Sequence, residues 1–335
     1  MSFNQLPDEI INMISEKLSC TRDLVCLSMC SKRMNFICKD SNYKNDIYCI
    51  SKKENVKEAL KFNCNIKLKL VIYKSNTNIL DEYMLGKLHS LDLYCSDISD
   101  FSMLCNVHVL NLSGCVSITD VSMLGNVHAL NLSSCENITD VSMLGNVHTL
   151  DLSYCFRISD VSKLDRVHDL NLKYCEGVSD VSKLGNVHTL NLYGCRGITD
   201  FSMLGNVHTL NLSYCKVSDV SMLGNVYTLN LTGCYDITDV SKLGNVHTLN
   251  LYNCENITDV SKLGNVHTLN LSKCEGITDV SMLGNVHTLD LSECVNVTDF
   301  SMLGNVHTLN LTGCEGVKDV SMLENVRTLI LSHFM

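Results

Sequence analysis

The sequence predicts an α/β solenoid, in which short strand-and-turn repeats stack into one parallel β-sheet behind a small all-α module. From about residue 86 the 335-residue sequence repeats itself with a period of 20 residues. Each repeat alternates polar and apolar residues around a Leu-x-Leu pair, as a half-buried strand does. Thirteen pairs, and hence thirteen predicted strands, begin at Leu91, Leu110, Leu130, Leu150, Leu170, Leu190, Leu210, Leu229, Leu249, Leu269, Leu289, Leu309 and Leu329.

The spacing within each repeat predicts how the strands assemble. The period shortens to 19 residues twice, between Leu93 and Ile98 and between Leu212 and Val217, which marks a loop after the strand. No single repeat can bury its leucines alone, so neighbouring repeats must stack with their strands about 4.8 Å apart. Because a period of 20 residues leaves no room for an α-helix on the return side, we expect turns or single 3₁₀ turns there.

The repeat resembles the leucine-rich repeat. Its pattern, L-x-x-L-x-L-x-x-C-x-x-I, has Cys where that family has Asn or Cys, and the Ile-Thr-Asp-Val-Ser-x-Leu stretch is similar to short bacterial repeats. The resemblance implies a short-period leucine-rich-repeat horseshoe over residues 86–335, with a shallow curve and a sheet face that binds another protein.

The segments on either side of the repeats are less regular. Residues 49–85 are predicted to form a linker and the N-terminal cap of the solenoid, with a helix at 54–62 and a strand at 66–73. At the other end, the last strand would leave an open sheet edge, which is a pairing liability. Either Phe334 and Met335 cover that edge or the array is truncated.

Residues 1–48 have the pattern of a small helical module. Pro7 suits the first position of a helix, and the acidic Asp8 and Glu9 follow it in the first turn. Apolar residues at a spacing of four, Ile10, Ile14 and Leu18, would form a stripe along this helix. A second helix would carry Leu24 and Leu27.

This module resembles the F-box, whose pattern is roughly LPxEIxxxIxxxL…DLxxLSxVCKR, although Met34 stands where the family often has Trp. In that family the Leu-Pro turn and the apolar faces bind the Skp1 adaptor. The resemblance therefore implies a Skp1-binding role for Leu6, Pro7, Ile10, Ile14, Leu18, Leu24 and Leu27. A helical cap on the edge of the solenoid is the alternative interpretation.

The order of the two regions is similar to that of the substrate-recognition subunits of SCF (Skp1–cullin–F-box) ubiquitin ligases. It implies two partners, a Skp1-like adaptor and an unknown target protein. The alternative is a scaffold or decoy that binds partners without ubiquitin transfer. The near-identical units, with little Pro and much Asn and Lys, resemble the F-box/leucine-rich-repeat proteins of giant DNA viruses.

Composition favours an intracellular, cytoplasmic protein, in the host cytoplasm if the chain is viral. The net charge of −10 argues against a nucleic-acid partner, and the lack of a long apolar run argues against a membrane partner. The first residues have no basic stretch followed by an apolar one, so we expect no secretory signal. The 19 cysteines are odd in number, and most recur at fixed spacing. Both features favour free thiols in a reducing compartment over a disulfide scaffold.

Cysteine and aspartate each recur at one position of the repeat, and both residue types can bind metals or act in catalysis. We expect neither column to do so here. Cysteines recur from Cys95 to Cys314 without any C-x-x-C pair, which predicts small buried side chains rather than a zinc site or a nucleophile. One aspartate per repeat, from Asp100 to Asp319, is predicted to accept hydrogen bonds from the backbone that follows. We therefore expect no catalytic residue, no metal, no cofactor and no enzymatic activity.

A third column consists of histidines that precede the strands, and these are predicted to be exposed and stacked about 5 Å apart.

Departures from the repeat consensus mark candidate target-binding residues, because a few aromatic and basic anchors usually supply most of the affinity. They cluster in the middle of the array, where Asp169 also replaces the Thr of most repeats. Drift after duplication explains such differences equally well. The candidates are Tyr154, Arg157, Asp169, Lys173, Tyr174, Tyr193, Arg196 and Tyr214.

Overall fold

The computed structural model describes residues 47–50, 67–71, 88–93, 102–317 and 319–331. The predicted Skp1-binding residues Leu6, Pro7, Ile10, Ile14, Leu18, Leu24 and Leu27 lie outside the described residues. The helices predicted for 1–48 and 54–62 also lie outside them, as do Phe334 and Met335. The chain divides into two compact units, one made of Met1–Ile118 and Met123–Cys135 and the other of Thr119–Ser122 and Glu136–Met335.

The first unit contains parallel strands that pair in chain order. The strand predicted at 66–73 is confirmed as β2 (Lys67–Val71), and the short β1 (Ile47–Ile50) before it was not predicted. Ile47 pairs with Lys67 at the same 20-residue spacing as the later repeats. The register shifts by one residue between Leu68 and Lys69, where β2 meets β3 (Leu88–Asp92). The strands are β1 (Ile47–Ile50), β2 (Lys67–Val71), β3 (Leu88–Asp92), β4 (Val109–Asn111) and β5 (Ala129–Asn131).

The second unit continues the same pattern with three-residue strands, each parallel to the next and in register, leucine to leucine. Together with β3, β4 and β5 they are the thirteen predicted strands, so that prediction is confirmed. The strands are β6 (Thr149–Asp151), β7 (Asp169–Asn171), β8 (Thr189–Asn191), β9 (Thr209–Asn211), β10 (Thr228–Asn230), β11 (Thr248–Asn250), β12 (Thr268–Asn270), β13 (Thr288–Asp290), β14 (Thr308–Asn310) and β15 (Thr328–Ile330).

The return side of the repeats consists of turns and short 3₁₀ helices, as the repeat length predicts. No α-helix occurs among the described residues, so the α part of the predicted fold class remains a prediction for residues 1–48. The described part of the chain also holds no helix with the length and hydropathy of a membrane span. The 3₁₀ helices are Ser102–Asn106, Ser122–Leu124, Ser142–Leu144, Leu184–Asn186, Ser202–Leu204, Ser281–Leu283, Ser301–Leu303 and Ser321–Leu323.

The repeats that begin at Leu110 to Leu289 bury the same apolar positions, which form a continuous core within each unit, whereas Val320 and Leu331 near the C-terminus are 41% and 37% exposed. In the repeat of β8, Leu190, Leu192, Cys195 and Ile198 are each at most 1% exposed. Apolar burial contributes about 25 cal/mol per Å², and here it depends on the neighbouring repeats that cover each side. Because the core side chains are buried, only residues beside the strands and in the loops can contact a partner and recognise it specifically.

Candidate protein-binding surface

The turn after each strand forces an unusual backbone on the residue that precedes the cysteine. At this position φ is positive, and several repeats have glycine there, which adopts such a backbone without steric cost. Tyr154, Tyr174 and Tyr214 occupy it with φ of 62°, 57° and 59°. A non-glycine residue in this region costs of order 1 to 3 kcal/mol, and such strain often accompanies a functional surface. Ser134 and Asn253 share the geometry, so the strain belongs to the turn and the choice of tyrosine is the informative feature.

Four tyrosines on successive repeats form one aromatic row, which we name the tyrosine ladder: Tyr154, Tyr174, Tyr193 and Tyr214. Successive ring centroids are 5.1, 5.2 and 5.2 Å apart, within the range of favourable aromatic contacts. Phe156 extends the row, with its ring edge-on to Tyr154 at 6.3 Å. The structure thus brings together the four tyrosines that the sequence analysis selected.

Glycines make room for the ladder. Tyr193 lies one position earlier in its repeat than the other three tyrosines, and Gly194 takes the positive-φ position beside it. A Cβ atom on Gly194 would stand 2.5 Å from Cε1 of Tyr174, so the ring of Tyr174 lies directly over that glycine. Gly233 has the same relation to Tyr214, at 2.6 Å.

A lysine supplies positive charge beside the aromatic rings. Lys173 Nζ lies 4.7 Å from the ring centroid of Tyr193, 5.6 Å from that of Tyr174 and 5.8 Å from that of Tyr154. Cations at such distances from aromatic faces are attracted to them. A hydrogen bond with Tyr174, followed by burial and the neighbouring phenols, raises the pKa of Tyr193 to about 12. Tyr193 is therefore uncharged at neutral pH, with a cation alongside.

The remaining candidates lie apart from the rings. Arg157 is exposed and donates from Nη1 to Asn137 Oδ1 over 3.2 Å, and Arg196 is exposed directly after the buried Cys195. Asp169 lies at the start of β7, whereas the tyrosines follow the ends of their strands, and its partner is His168. Asp169 is therefore structurally distinct from the tyrosine ladder.

The cysteine column is buried, as predicted, and has a contact that the sequence did not suggest. From Cys115 to Cys314 the thiols are at most 5% exposed. Cys195 Sγ donates to the carbonyl oxygen of Leu172 in the preceding repeat over 3.0 Å, and the same contact recurs along the column at 3.0 to 3.2 Å. Burial raises the pKa of Cys195 to about 11 and that of Cys215 to about 12, so these thiols stay protonated.

The aspartate column caps the return turns, which confirms its predicted role where the structure describes it. Asp160 Oδ1 accepts from the backbone N–H of Ser162 over 2.9 Å, and equivalent bonds from Asp120 to Asp319 measure 2.8 to 2.9 Å. This backbone hydrogen bond, with a second from the serine hydroxyl, holds the pKa of the Asp160 carboxyl below its ordinary value. Asp100 lies outside the described residues.

The histidine column is largely exposed and stacked, as predicted. In the second unit the ring centroids from His148 to His307 follow one another at 4.4 to 4.8 Å, with Tyr227 taking one place in the row. Partial burial in the stack and repulsion from His307 and His267 lower the pKa of His287 below its ordinary value of 6.5.

We expect the free energy of unfolding to fall as the pH decreases from 6.5 to about pH 5. The folded His287 has a lowered pKa, so the unfolded chain binds more protons in this window and the stability present above pH 6.5 is lost. Urea unfolding midpoints across the window measure this. His287→Tyr should reduce the loss, because Tyr227 already shows that a tyrosine fits the stack. An equal loss in this variant would contradict the assignment, and the capping aspartates respond only below their ordinary pKa of 3.8.

One carboxylate interrupts the histidine column. Asp169 Oδ1 lies 3.1 Å from Nδ1 of His168, and one ligand atom from each of His148, His168 and Asp169 lies within 4.8 Å of the others. Burial raises the pKa of Asp169, but hydrogen bonds with Thr189 and His168 and the charges of His168 and His148 lower it further, so the net shift is downward. This grouping was not predicted; its one signal in the sequence is that Asp169 is the only acidic residue directly before a Leu-x-Leu pair.

Comparison with known proteins gives a family match for the N-terminus and structural likeness for the repeats. Residues 3–46 match the F-box domain. No curated protein shows a significant match to the chain. An internalin, InlF, from Listeria monocytogenes has 21% sequence identity and a TM-score of 0.61, covering 84% of this chain and 94% of that one.

Two further solved structures are similar at lower scores. A leucine-rich-repeat protein of Leptospira interrogans has 19% identity and a TM-score of 0.49, covering 80% of this chain and 86% of its own. The functional domain of InlJ from Listeria monocytogenes, described as including a cysteine ladder, has 18% identity and a TM-score of 0.43, covering 74% and 67%. The chain therefore combines an F-box match at 3–46 with a repeat region whose fold is similar to that of the internalin InlF.

Proposed function

We propose that this protein is a protein–protein interaction adaptor, the substrate-recognition subunit of an SCF-type ubiquitin ligase. Residues 1–48 would dock on a Skp1-like adaptor through Leu6, Pro7, Ile10, Ile14, Leu18, Leu24 and Leu27, and the tyrosine ladder would hold the target. The observation that carries this proposal is the F-box match at 3–46 in the same chain as a separate aromatic surface. The protein would act in the cytoplasm, or in the host cytoplasm if it is viral.

The ladder has the chemistry of a protein-docking surface. Tyrosine is enriched at binding hot spots because its large ring loses little conformational entropy, while its hydroxyl can still form a hydrogen bond. Lys173 adds positive charge beside the rings, in a chain whose net charge is −10. A target segment with acidic residues beside apolar ones fits this surface. Tethering such a target to a ligase raises its local concentration near the ubiquitin donor, so the adaptor needs no chemistry of its own.

Co-expression of the full chain with a Skp1 adaptor tests the first half of the proposal. We expect co-purification by the parent and its loss in the Leu6→Ala/Pro7→Ala double variant, because the Leu-Pro turn would lie in the contact. The matched control is Met203→Ala/Met222→Ala, which removes two exposed apolar side chains of the repeats and should leave the binding unchanged. Retention of Skp1 by the Leu6/Pro7 variant, or no binding by the parent, contradicts the docking role.

A reconstituted ligase assay separates the adaptor from the scaffold or decoy. Cross-linking would identify a partner whose capture is lost in Tyr174→Ser/Tyr193→Ser and kept in the Met203/Met222 control. Ubiquitin transfer to that partner, dependent on Leu6 and Pro7, supports the adaptor. Capture without transfer in a complex that contains Skp1 supports the scaffold or decoy instead.

A further inference from the structure

The histidine column has the spacing of a shared-ligand site. Parallel, in-register strands place His148 and His168 side by side, with ring centroids 4.7 Å apart and planes inclined by 13°. The backbone holds them there, since the N–H groups of His168 and Asp169 both donate to the carbonyl oxygen of His148 over 3.0 Å. Two imidazoles on a rigid scaffold are a common basis for binding Zn²⁺, Ni²⁺ or Cu²⁺.

His168 differs from the other histidines in the partner of its Nδ1 atom. At the other histidines from His148 to His307, as at His267 and His287, Nδ1 faces a threonine hydroxyl at 3.2 to 3.3 Å, which can donate or accept. At His168 it faces the Asp169 carboxylate at 3.1 Å. An ionised carboxylate only accepts, so Nδ1 must carry the proton and the lone pair must lie on Nε2. A carboxylate that orients a histidine in this way is the usual second partner of a metal-binding imidazole.

We propose that His148 and His168 bind a divalent transition-metal ion through their Nε2 atoms, and that Asp169 positions His168 by accepting its Nδ1–H. Metal–nitrogen bonds are about 2.0 to 2.1 Å, so the two nitrogens must approach to within roughly 4 Å. A tilt of one ring achieves this, and both rings are exposed, the side chain of His168 by 46%. Water completes the coordination. This site is independent of the tyrosine ladder and of Skp1 binding.

Calorimetric titration of the tag-free full chain with Ni²⁺ tests the site, because Ni²⁺ favours imidazole over the thiols of this cysteine-rich chain. We expect one binding event that is tighter than the rest. Asp169→Thr, which restores the residue of most repeats, should weaken it by about tenfold to a hundredfold. His168→Gln should abolish it. The matched control His267→Gln removes a stacked histidine followed by Thr268 and should leave the tight event unchanged.

The repetition of the array allows the positioning role of Asp169 to be tested by transfer. Thr268→Asp should create a second tight event at His247 and His267, which are stacked at 4.6 Å. In the metal-free parent, nitrogen NMR should show His168 protonated at Nδ1, and Asp169→Thr should shift this tautomer toward the mixture of its neighbours. The proposal is overturned if Asp169→Thr or His168→Gln binds Ni²⁺ as the parent does, or if Thr268→Asp adds no tight event.

Discussion

Raising the pH above 9 is expected to unfold this protein steeply. The cause is the cysteine column, in which burial raises the pKa from an ordinary 9.0 to about 11 at Cys195 and Cys254 and to about 12 at Cys215 and Cys294. Burial also raises the pKa of Cys175, Cys234, Cys274 and Cys314. The unfolded chain releases these protons at lower pH than the folded one, so stability is full below pH 9 and is lost as the pH rises toward the folded values.

The expected effect is large because the same shift repeats along the array. Each such thiol removes about 1.4 kcal/mol of stability per pH unit above its unfolded pKa. With seven such thiols, Cys175, Cys195, Cys215, Cys234, Cys254, Cys274 and Cys294, acting together, the loss at about pH 10 is of order 10 kcal/mol, comparable to the whole stability of a typical domain. Urea unfolding midpoints measured from neutral to alkaline pH test this.

A double substitution provides the control. Cys195→Ala/Cys254→Ala should flatten the alkaline slope of the unfolding free energy by about two protons, whatever it costs at neutral pH. A chain that remains folded above about pH 10.5, or a slope unchanged in the double variant, would show that the column does not govern alkaline stability.

Leu190→Ala is expected to lower the free energy of unfolding by about 2 to 5 kcal/mol. Leu190 is the first leucine of its pair, is 1% exposed and lies at the centre of β8, in register with Leu170 and Leu210. Removing its side chain leaves a cavity that two neighbouring repeats must share. Stability in a solenoid is a sum over repeats and the interfaces between them. The stability lost in Leu190→Ala should therefore also make unfolding less cooperative in the middle of the second unit.

Chemical unfolding of Leu190→Ala beside Met203→Ala checks this. Met203 is 58% exposed on the return side, so its truncation removes a similar apolar volume with little expected change, within about 0.5 kcal/mol. Equal shifts for the two variants would mean that the strand leucines do not dominate the core.

The strands were predictable because burial in this fold is periodic. Each Leu-x-Leu pair fixes both the position and the register of a strand, so the leucines align as expected from β3 to β5 in the first unit and from β6 to β15 in the second. β1 was missed because Ile47–Ile50 has no such pair, and its only signal is the 20-residue distance to β2. The hydrogen bond from the Ser162 N–H to Asp160 was predicted because it joins residues that are close along the chain. The hydrogen bond from the Cys195 thiol to the Leu172 carbonyl oxygen was not predicted because it joins two different repeats.

The candidate sites were also predictable only in part. Tyr154 and Tyr174 occupy the same position in successive repeats, so the repeat period predicts that their rings meet, and they do. Tyr193 belongs to a different column and meets Tyr174, whose ring lies over Gly194 where a larger residue would collide with it, so the contact depends on side-chain volume rather than on period. The pairing of His168 with Asp169 was not predicted because alternation along a strand places adjacent side chains on opposite sides, but His168 precedes β7 and Asp169 is its first residue, so their side chains can meet.

The sameness of the strands has a consequence for how the chain reaches its fold. β8 to β12 are all Thr-Leu-Asn, so each strand is as complementary to the second neighbour as to the first, and a chain refolding from denaturant can pair them with a repeat looped out. During synthesis the edge of the strand made last is the nearest free edge when the next strand emerges, so the correct partner is selected by timing rather than by sequence. The order of emergence from the ribosome thus supplies information that the repeated side chains lack.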